Sequence, residues 1–357
     1  MPGHTPRVAA LRPLPVPSTS DRSRRVALLL PGQGSQYRRM AAGLYDSEPV
    51  FTAAMDEVFT ALGKAGRELR ADWLDVRPHR SLDDAVRSQP LLFAVDHALG
   101  RLVLDQGVEP AALLGHSVGE MAAAALAGVF SAGDAAGLVL DRVRRLASAP
   151  AGGMLAVAAS AAQVEPFLGA GVVVGAVNAP RHTVLAGPRP ALDAVAGRLT
   201  AAGFASRPVA SDTAFHSPVL APWLAGAPAQ VASVARTPPS RTIYSGRTAA
   251  PLSADQAVDP GFWAAHPVTP VLFWPALDAL LSTGDYLLVE TGPGRTLTGI
   301  ARRHPTVRRG ASAVLPLLSG GPVAEEADRA SWHAAVAELR ASGVCPVGPA
   351  AARAGSS

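Results

Sequence analysis

The chain is nearly devoid of lysine: Lys64 is the only one among 32 basic residues, and arginine supplies the others. Cysteine is equally scarce. A single Cys345, in a stretch rich in Pro, Gly and Ala, permits no internal disulfide and no cysteine-based metal site. Aromatic residues make up 5% of the chain against 48% hydrophobic residues, so any core must be mostly aliphatic. No run is long and apolar enough to span a bilayer. The N-terminus carries His4, Arg7 and several prolines ahead of Arg22–Arg25, and lacks the uninterrupted apolar segment of a secretion signal. A cytoplasmic location is expected. The charge excess is small as well, at +4, and the basic clusters are short, as in Arg142–Arg145 and Arg302-Arg303. That is too dilute for a nucleic-acid footprint, though it suits an anionic substrate or an acidic protein partner.

What the sequence does contain is Gly115-His116-Ser117-Val118-Gly119, a G-x-S-x-G motif. It follows the apolar run Ala111-Ala112-Leu113-Leu114 and opens the alanine-rich stretch Met121 to Ala127. A strand before the motif and a helix after it are the setting of a nucleophile elbow. Glycines there remove Cβ atoms from a sharp turn, and the serine is left exposed at the strand end. The helix then directs backbone N–H groups and the positive end of its dipole at a reacting carbonyl.

Residues 1–25, rich in Pro, Ser and Arg, read as a disordered leader. Val26–Leu30 reads as a buried strand ended by Pro31-Gly32. Helical patterns fill Met40 to Leu69, Gln89 to Gln106 and Ala132 to Ala147, with Gly128 as a stop after the elbow helix. The alternation of β and α predicts an α/β domain, a parallel sheet covered by helices. After Pro150 the period changes. Met154–Ala159, Val172–Val177, Thr183–Ala186 and Phe204–Val209 read as strands, and Ala161–Leu168 and Ala191–Ala202 as helices. That order is βαββαβ, a ferredoxin-like unit, inserted over residues 150–209 into a large α/β-hydrolase-like subdomain of residues 26–149 and 210–312. A strand at Tyr286–Glu290 belongs to the large unit. Residues 313–357 are expected to hold a C-terminal helix, near Asp328 to Ser342, and a tail.

A serine nucleophile needs a base. Of nine histidines, His216 lies in a loop directly after the inserted unit, but position alone does not single it out. Arg142 stands 25 positions after Ser117. On spacing alone it is as readily a solvated helix-end residue as a carboxylate ligand.

Four stretches occur in one order: Pro31-Gly32-Gln33-Gly34-Ser35-Gln36, Gly115-His116-Ser117-Val118-Gly119-Glu120, Ala214-Phe215-His216-Ser217-Pro218 and Glu290-Thr291-Gly292-Pro293-Gly294. Together they resemble malonyl-CoA:acyl carrier protein transacylases and the acyltransferase domains of polyketide synthases. The likeness runs from about Val26 to Arg303. The resemblance implies a ping-pong reaction in polyketide or fatty-acid biosynthesis. Ser117 takes an acyl group from a CoA thioester, and the phosphopantetheine thiol of an acyl carrier protein then removes it. His216 serves as the base. The backbone N–H groups of Gln33 and Val118 form the oxyanion hole. No acidic third member is implied; a backbone carbonyl, mapped to His266, orients His216. Relatives usually carry Asn at that position. An Asp212 triad is the alternative. Arg142 would pair with the free carboxylate of a malonyl-type group, with Arg144 as the fallback, and His116, Phe215 and Gln89 complete the substrate-binding set. Phe215, and Val118 where branched-substrate relatives often have Gln, point to malonyl, while Thr213 departs from the family pattern. Neither a metal nor a tightly bound cofactor is implied.

The protein is expected to be a monomer, acting as a discrete enzyme on separate carrier proteins. Three other functions share these motifs or the fold: a carrier-to-carrier transferase of larger acyl or aminoacyl groups, an editing hydrolase, and a non-catalytic binding module. Retention of both Ser117 and His216 speaks against the last.

Overall fold

The computed structural model describes residues 24–77, 81–322 and 325–345. The expected disordered leader lies outside the described residues except at its end, where the first strand starts at Arg25. Among the described residues, ten strands form two sheets. The large sheet contains β1 (Arg25–Leu30), β2 (Ala112–Gly115), β7 (Ile243–Ser245), β8 (Ala250–Pro251), β9 (Tyr286–Glu290) and β10 (Ala313–Pro316), in the order β10-β9-β1-β2-β7-β8. All neighbours are parallel except the β7–β8 pair.

The inner strands β1, β2 and β9 are buried on both faces, which is why they read as continuous apolar runs. Val26, Leu28 and Leu30 of β1 face one core cluster, while Ala27 and Leu29 face the other. β9 divides in the same way, with Leu287 and Val289 on one side and Tyr286 and Leu288 on the other. The helices Ala85–Asp105, Val118–Leu126 and Ala132–Leu146 cover the first face. Asp84 caps the first of these by accepting from the Val86 N–H at 2.9 Å, and Ser131 caps the third by accepting from the Asp134 N–H at 3.0 Å. The elbow helix ends at Leu126, and Gly128 adopts φ 78°, the left-handed stop its type allows without strain.

The inserted unit is a four-stranded antiparallel sheet of β3 (Gly152–Val157), β4 (Val173–Ala179), β5 (His182–Pro188) and β6 (Ser206–Val209), in the order β4-β5-β3-β6. In chain order this is the 2-3-1-4 arrangement of a ferredoxin-like sheet. One short helical segment and the helix Arg189–Ala201 pack on it through Val164, Leu192, Val195 and Leu199. The unit is tied to the large one through backbone: Val177 N–H donates to the Val271 carbonyl at 2.8 Å, and Val271 N–H donates to the Gly175 carbonyl at 2.9 Å.

The expected boundary at residue 312 is corrected. Ala313–Pro316 pairs with β9 and completes the large sheet, and the helix Glu325–Ala341 buries Trp332 and Leu339 in the large unit's core. Cys345, expected in a tail, is buried in the same core. Among the described residues, no helix is long and apolar enough to cross a membrane, and no cluster of three potential metal-ligating side chains occurs.

Candidate active site

β2 runs between β1 and β7 and delivers Ser117 at its C-terminal end, where ligands of parallel sheets bind. Ser117 adopts φ 52° and ψ −124°, outside the regions open to most residues at low cost. The turn closes because both motif glycines stand against backbone. A Cβ on Gly115 would lie 2.2 Å from the Glu120 nitrogen, and one on Gly119 would lie 2.2 Å from the Leu30 carbonyl oxygen. The helix opens immediately after the serine. Gly119 N–H donates to His116 O at 3.0 Å and Glu120 N–H to Ser117 O at 2.8 Å, which leaves Val118 N–H at the free end of the first turn.

The structure brings His216 to this serine. Its Nε2 is 2.7 Å from Ser117 Oγ, and its Nδ1 is 2.9 Å from the Thr269 carbonyl oxygen. A carbonyl can only accept, so Nδ1 carries the proton and the Nε2 lone pair faces the serine hydroxyl. The His216 backbone is also constrained, with φ 65° and its N–H donating to Pro267 O at 2.8 Å. Burial, reinforced by the neighbouring His266, pushes the imidazole down to about 3. It is therefore neutral near pH 7, the state a general base needs.

Two expectations are corrected here. The orienting carbonyl belongs to Thr269, not His266. Residues His266–Val268 form a 3-10 turn, and the Thr269 hydroxyl just beyond it stands 3.2 Å from the Ala265 carbonyl oxygen and 3.3 Å from that of His266. Thr269 is the first extended residue beyond the turn. The Asp212 alternative is not formed: its exposed carboxylate pairs with Arg189 at 3.1 Å, away from the imidazole.

Arg142 is buried on the inner face of its helix, whereas Arg144 is exposed and lines a separate pocket with Glu68 and Arg87. The Arg142 guanidinium has no carboxylate within salt-bridge distance among the described residues. Nη1 lies 3.2 Å from His266 Nδ1, Nη2 lies 3.4 Å from Gln89 Oε1, and Nε has no partner. Burial without a counter-ion pushes the group down to about 10. Gln89, in the second turn of its helix rather than at the end, passes the chain on by donating to Gln33 Oε1 at 3.0 Å. Gln33 and Phe215 line a cleft of about 870 Å³ between the large unit and the two connections to the inserted one, shared with Thr213 and Val143.

His116 faces the other unit. Its Nε2 lies 2.9 Å from Asn178 Oδ1, on β4 of the ferredoxin-like sheet. Burial lowers its pKa, partly offset by that bond. Nothing local in the sequence marks Asn178 as a site residue, since an Asn two positions before Pro180 has ordinary turn chemistry. The Thr269 carbonyl and the side-chain roles of Glu120 and His266 were equally hidden. Glu120 is buried beside His266, with Oε2 3.4 Å from His266 Nε2. The only sequence signal for it was its place at the end of the elbow motif.

The site therefore contains a neutral histidine against an activated-serine geometry, a helix N-terminus, and a buried cation joined through Gln89 to Gln33 at the cleft wall. That set can transfer an acyl group and hold a carboxylate. A family model described as acyl transferase domain matches residues 28–319. The chain is 38% identical over 327 residues to a phenolphthiocerol/phthiocerol polyketide synthase polypeptide of Mycobacterium tuberculosis, covering 91% of this chain and 22% of that protein. Thus the chain spans about a fifth of that relative. Among solved structures, it is similar to the acyltransferase domain from the second module of the salinomycin polyketide synthase, with TM-score 0.81 and 35% identity over 90% of this chain and 75% of the other. It is also similar to the acyl transferase domain of SpnD in complex with 2-(pent-4-yn-1-yl)malonyl, with TM-score 0.85 and 33% identity over 92% and 79%.

Proposed function

The chain belongs to the acyl transferase domain family and is an acyltransferase; from that premise we propose that it moves a malonyl group from CoA to the phosphopantetheine thiol of an acyl carrier protein. His216 Nε2 takes the Ser117 hydroxyl proton as Oγ attacks the thioester carbonyl. The tetrahedral oxyanion is held by the N–H groups of Gln33 and Val118, each such donor being worth a few kcal/mol of barrier. The carbon–sulfur bond breaks, CoA leaves as a thiol with the proton from His216, and a malonyl-serine ester remains. The carrier thiol then attacks that ester. His216 takes the thiol proton and returns it to Ser117 Oγ, and the malonyl thioester departs on the carrier. The Thr269 carbonyl holds the imidazole tautomer throughout.

The observation that carries the malonyl reading is the buried Arg142, which has hydrogen-bonding neighbours and no anionic partner among the described residues. A planar fork in that position matches a carboxylate. Acceptor docking is proposed on the arginines near the inserted unit's hairpin. His182 is pushed down by burial and then by the charges of Arg303 and Arg207, so positive charge lies around the hairpin residue that follows the exposed Arg181. Arg302 is exposed next to them, while Arg295 is engaged with the Leu318 carbonyl at 3.4 Å. Mixing the protein with a panel of acyl-CoAs and reading its intact mass tests the substrate. Malonyl is expected to accumulate in preference to acetyl. Preference for acetyl or for a neutral long chain would contradict the assignment.

A further inference from the structure

The His266 side chain is buried between three functional groups. On one side its Nδ1 stands 3.2 Å from Arg142 Nη1. On the other its Nε2 stands 3.4 Å from Glu120 Oε2. Its ring meets His216 edge to face, with centroids 5.8 Å apart and planes at 77°. Arginine can only donate, so Nδ1 must be the bare nitrogen and Nε2 must carry the proton, directed at Glu120. We infer that His266 is a positioning residue for substrate selection: as a neutral acceptor it holds the Arg142 fork in the orientation that receives a carboxylate, and Glu120 fixes its tautomer from behind. The inference rests on the proposed role of Arg142.

The alternatives for holding Arg142 are few. The contact to Gln89 is longer, at 3.4 Å, and Arg142 Nε has no partner. Without the His266 acceptor, a long flexible side chain would keep one loose polar contact. A second proton on His266 would place a donor opposite a donor and a cation beside a cation. Burial opposes that protonation, as do the charges of Arg142 and Arg247, whereas Glu120 favours it. The net direction is downward, so the acceptor form prevails at neutral pH.

The decisive comparison uses two amides. The substitution H266N would place a carbonyl oxygen near the position of Nδ1, facing Arg142. The longer amide of H266Q reaches instead to the position of Nε2, facing Glu120, and leaves Arg142 without its acceptor. The measurement is the ratio of kcat/KM for malonyl-CoA over acetyl-CoA in self-acylation of the full chain, for the wild type, H266N, H266Q, H266L and R142A, with a thermal melt of each. H266N is expected to keep most of the malonyl preference. H266Q and H266L are expected to lose about tenfold or more of it, chiefly through KM for malonyl-CoA, in line with a hydrogen bond to a charged group. His216 serves both substrates, so damage to the Ser117–His216 pair cancels in the ratio, and a loss of fold shows in the melt. If H266Q keeps the wild-type ratio while R142A loses it, the positioning role fails and the reading of Arg142 stands. If H266N loses as much as H266Q, the acceptor argument is overturned. Equal loss of both substrates in R142A would overturn the Arg142 reading together with this inference.

Discussion

Replacing Arg142 by Met should make the enzyme more stable and less selective at once. Burial pulls the guanidinium from its ordinary value of 12.5 to about 10. At 1.36 kcal/mol per pH unit, that corresponds to about 3 kcal/mol against the charged form. The contacts to His266 and Gln89, at 3.2 and 3.4 Å, are at the long end for hydrogen bonds and return part of that, about 2 kcal/mol together. Met fills a similar volume with no charge to desolvate, and replacing buried charges by apolar groups is often stabilising. A net gain of about 1 kcal/mol is expected in the substrate-free enzyme, raising Tm by about 2–4 °C. The same change should cut malonyl transfer by about tenfold to a hundredfold relative to acetyl, the range of a hydrogen bond to a charged group. Differential scanning calorimetry on the free protein and competition kinetics with the two CoA thioesters supply the two numbers. A Tm lower by several degrees, together with equal losses for both substrates, would refute the reasoning and make Arg142 a structural residue.

Because His216 is held near 3, acylation by acetyl-CoA should show no inflection near pH 6.5 and should fall only in stronger acid; a bell with an acid limb at the ordinary histidine value would contradict this. Stability follows the same group. The unfolded chain takes up the proton at about 6.5 and the folded chain resists it, so this contribution is complete above pH 6.5 and is lost as pH falls toward 3. Asn178→Ala removes the 2.9 Å bond that joins His116 to the inserted sheet, and should destabilise the protein by about 1 kcal/mol in equilibrium unfolding. Charge reversal at Arg181 and Arg303 should slow transfer to an acidic carrier and flatten its salt dependence, without changing acetyl-CoA hydrolysis in the absence of carrier. Rapid-mixing measurements of carrier transfer at two ionic strengths decide it, and indifference to salt would favour an apolar contact surface.

The elbow was legible in the sequence because everything it needs is local: a strand, two glycines against backbone and a helix start. The large and small units were legible because their hydrophobic periods differ, and Tyr286–Glu290 matched its strand residue for residue. What escaped was set by distant packing. Ala313–Pro316 ends in a proline, which reads as a breaker, yet it lies on the sheet edge, where a missing N–H costs no ladder bond. Ile243–Ser245 is only three residues long, too short for a period. His266 and Thr269 are close in sequence, and which carbonyl faces His216 depended on one 3-10 turn. Asn178 carried turn chemistry in the sequence and a cross-unit contact in the fold.

The most direct test is a two-step labelling of the wild type and Ser117→Ala. The protein is incubated with malonyl-CoA, freed of excess donor, mapped by peptide mass, and then given a phosphopantetheinylated carrier. The expected result is one malonyl group on the peptide containing Ser117, discharged onto the carrier thiol, with neither step in Ser117→Ala. A malonyl group on another residue, or Ser117→Ala charging at the wild-type rate, would contradict the account.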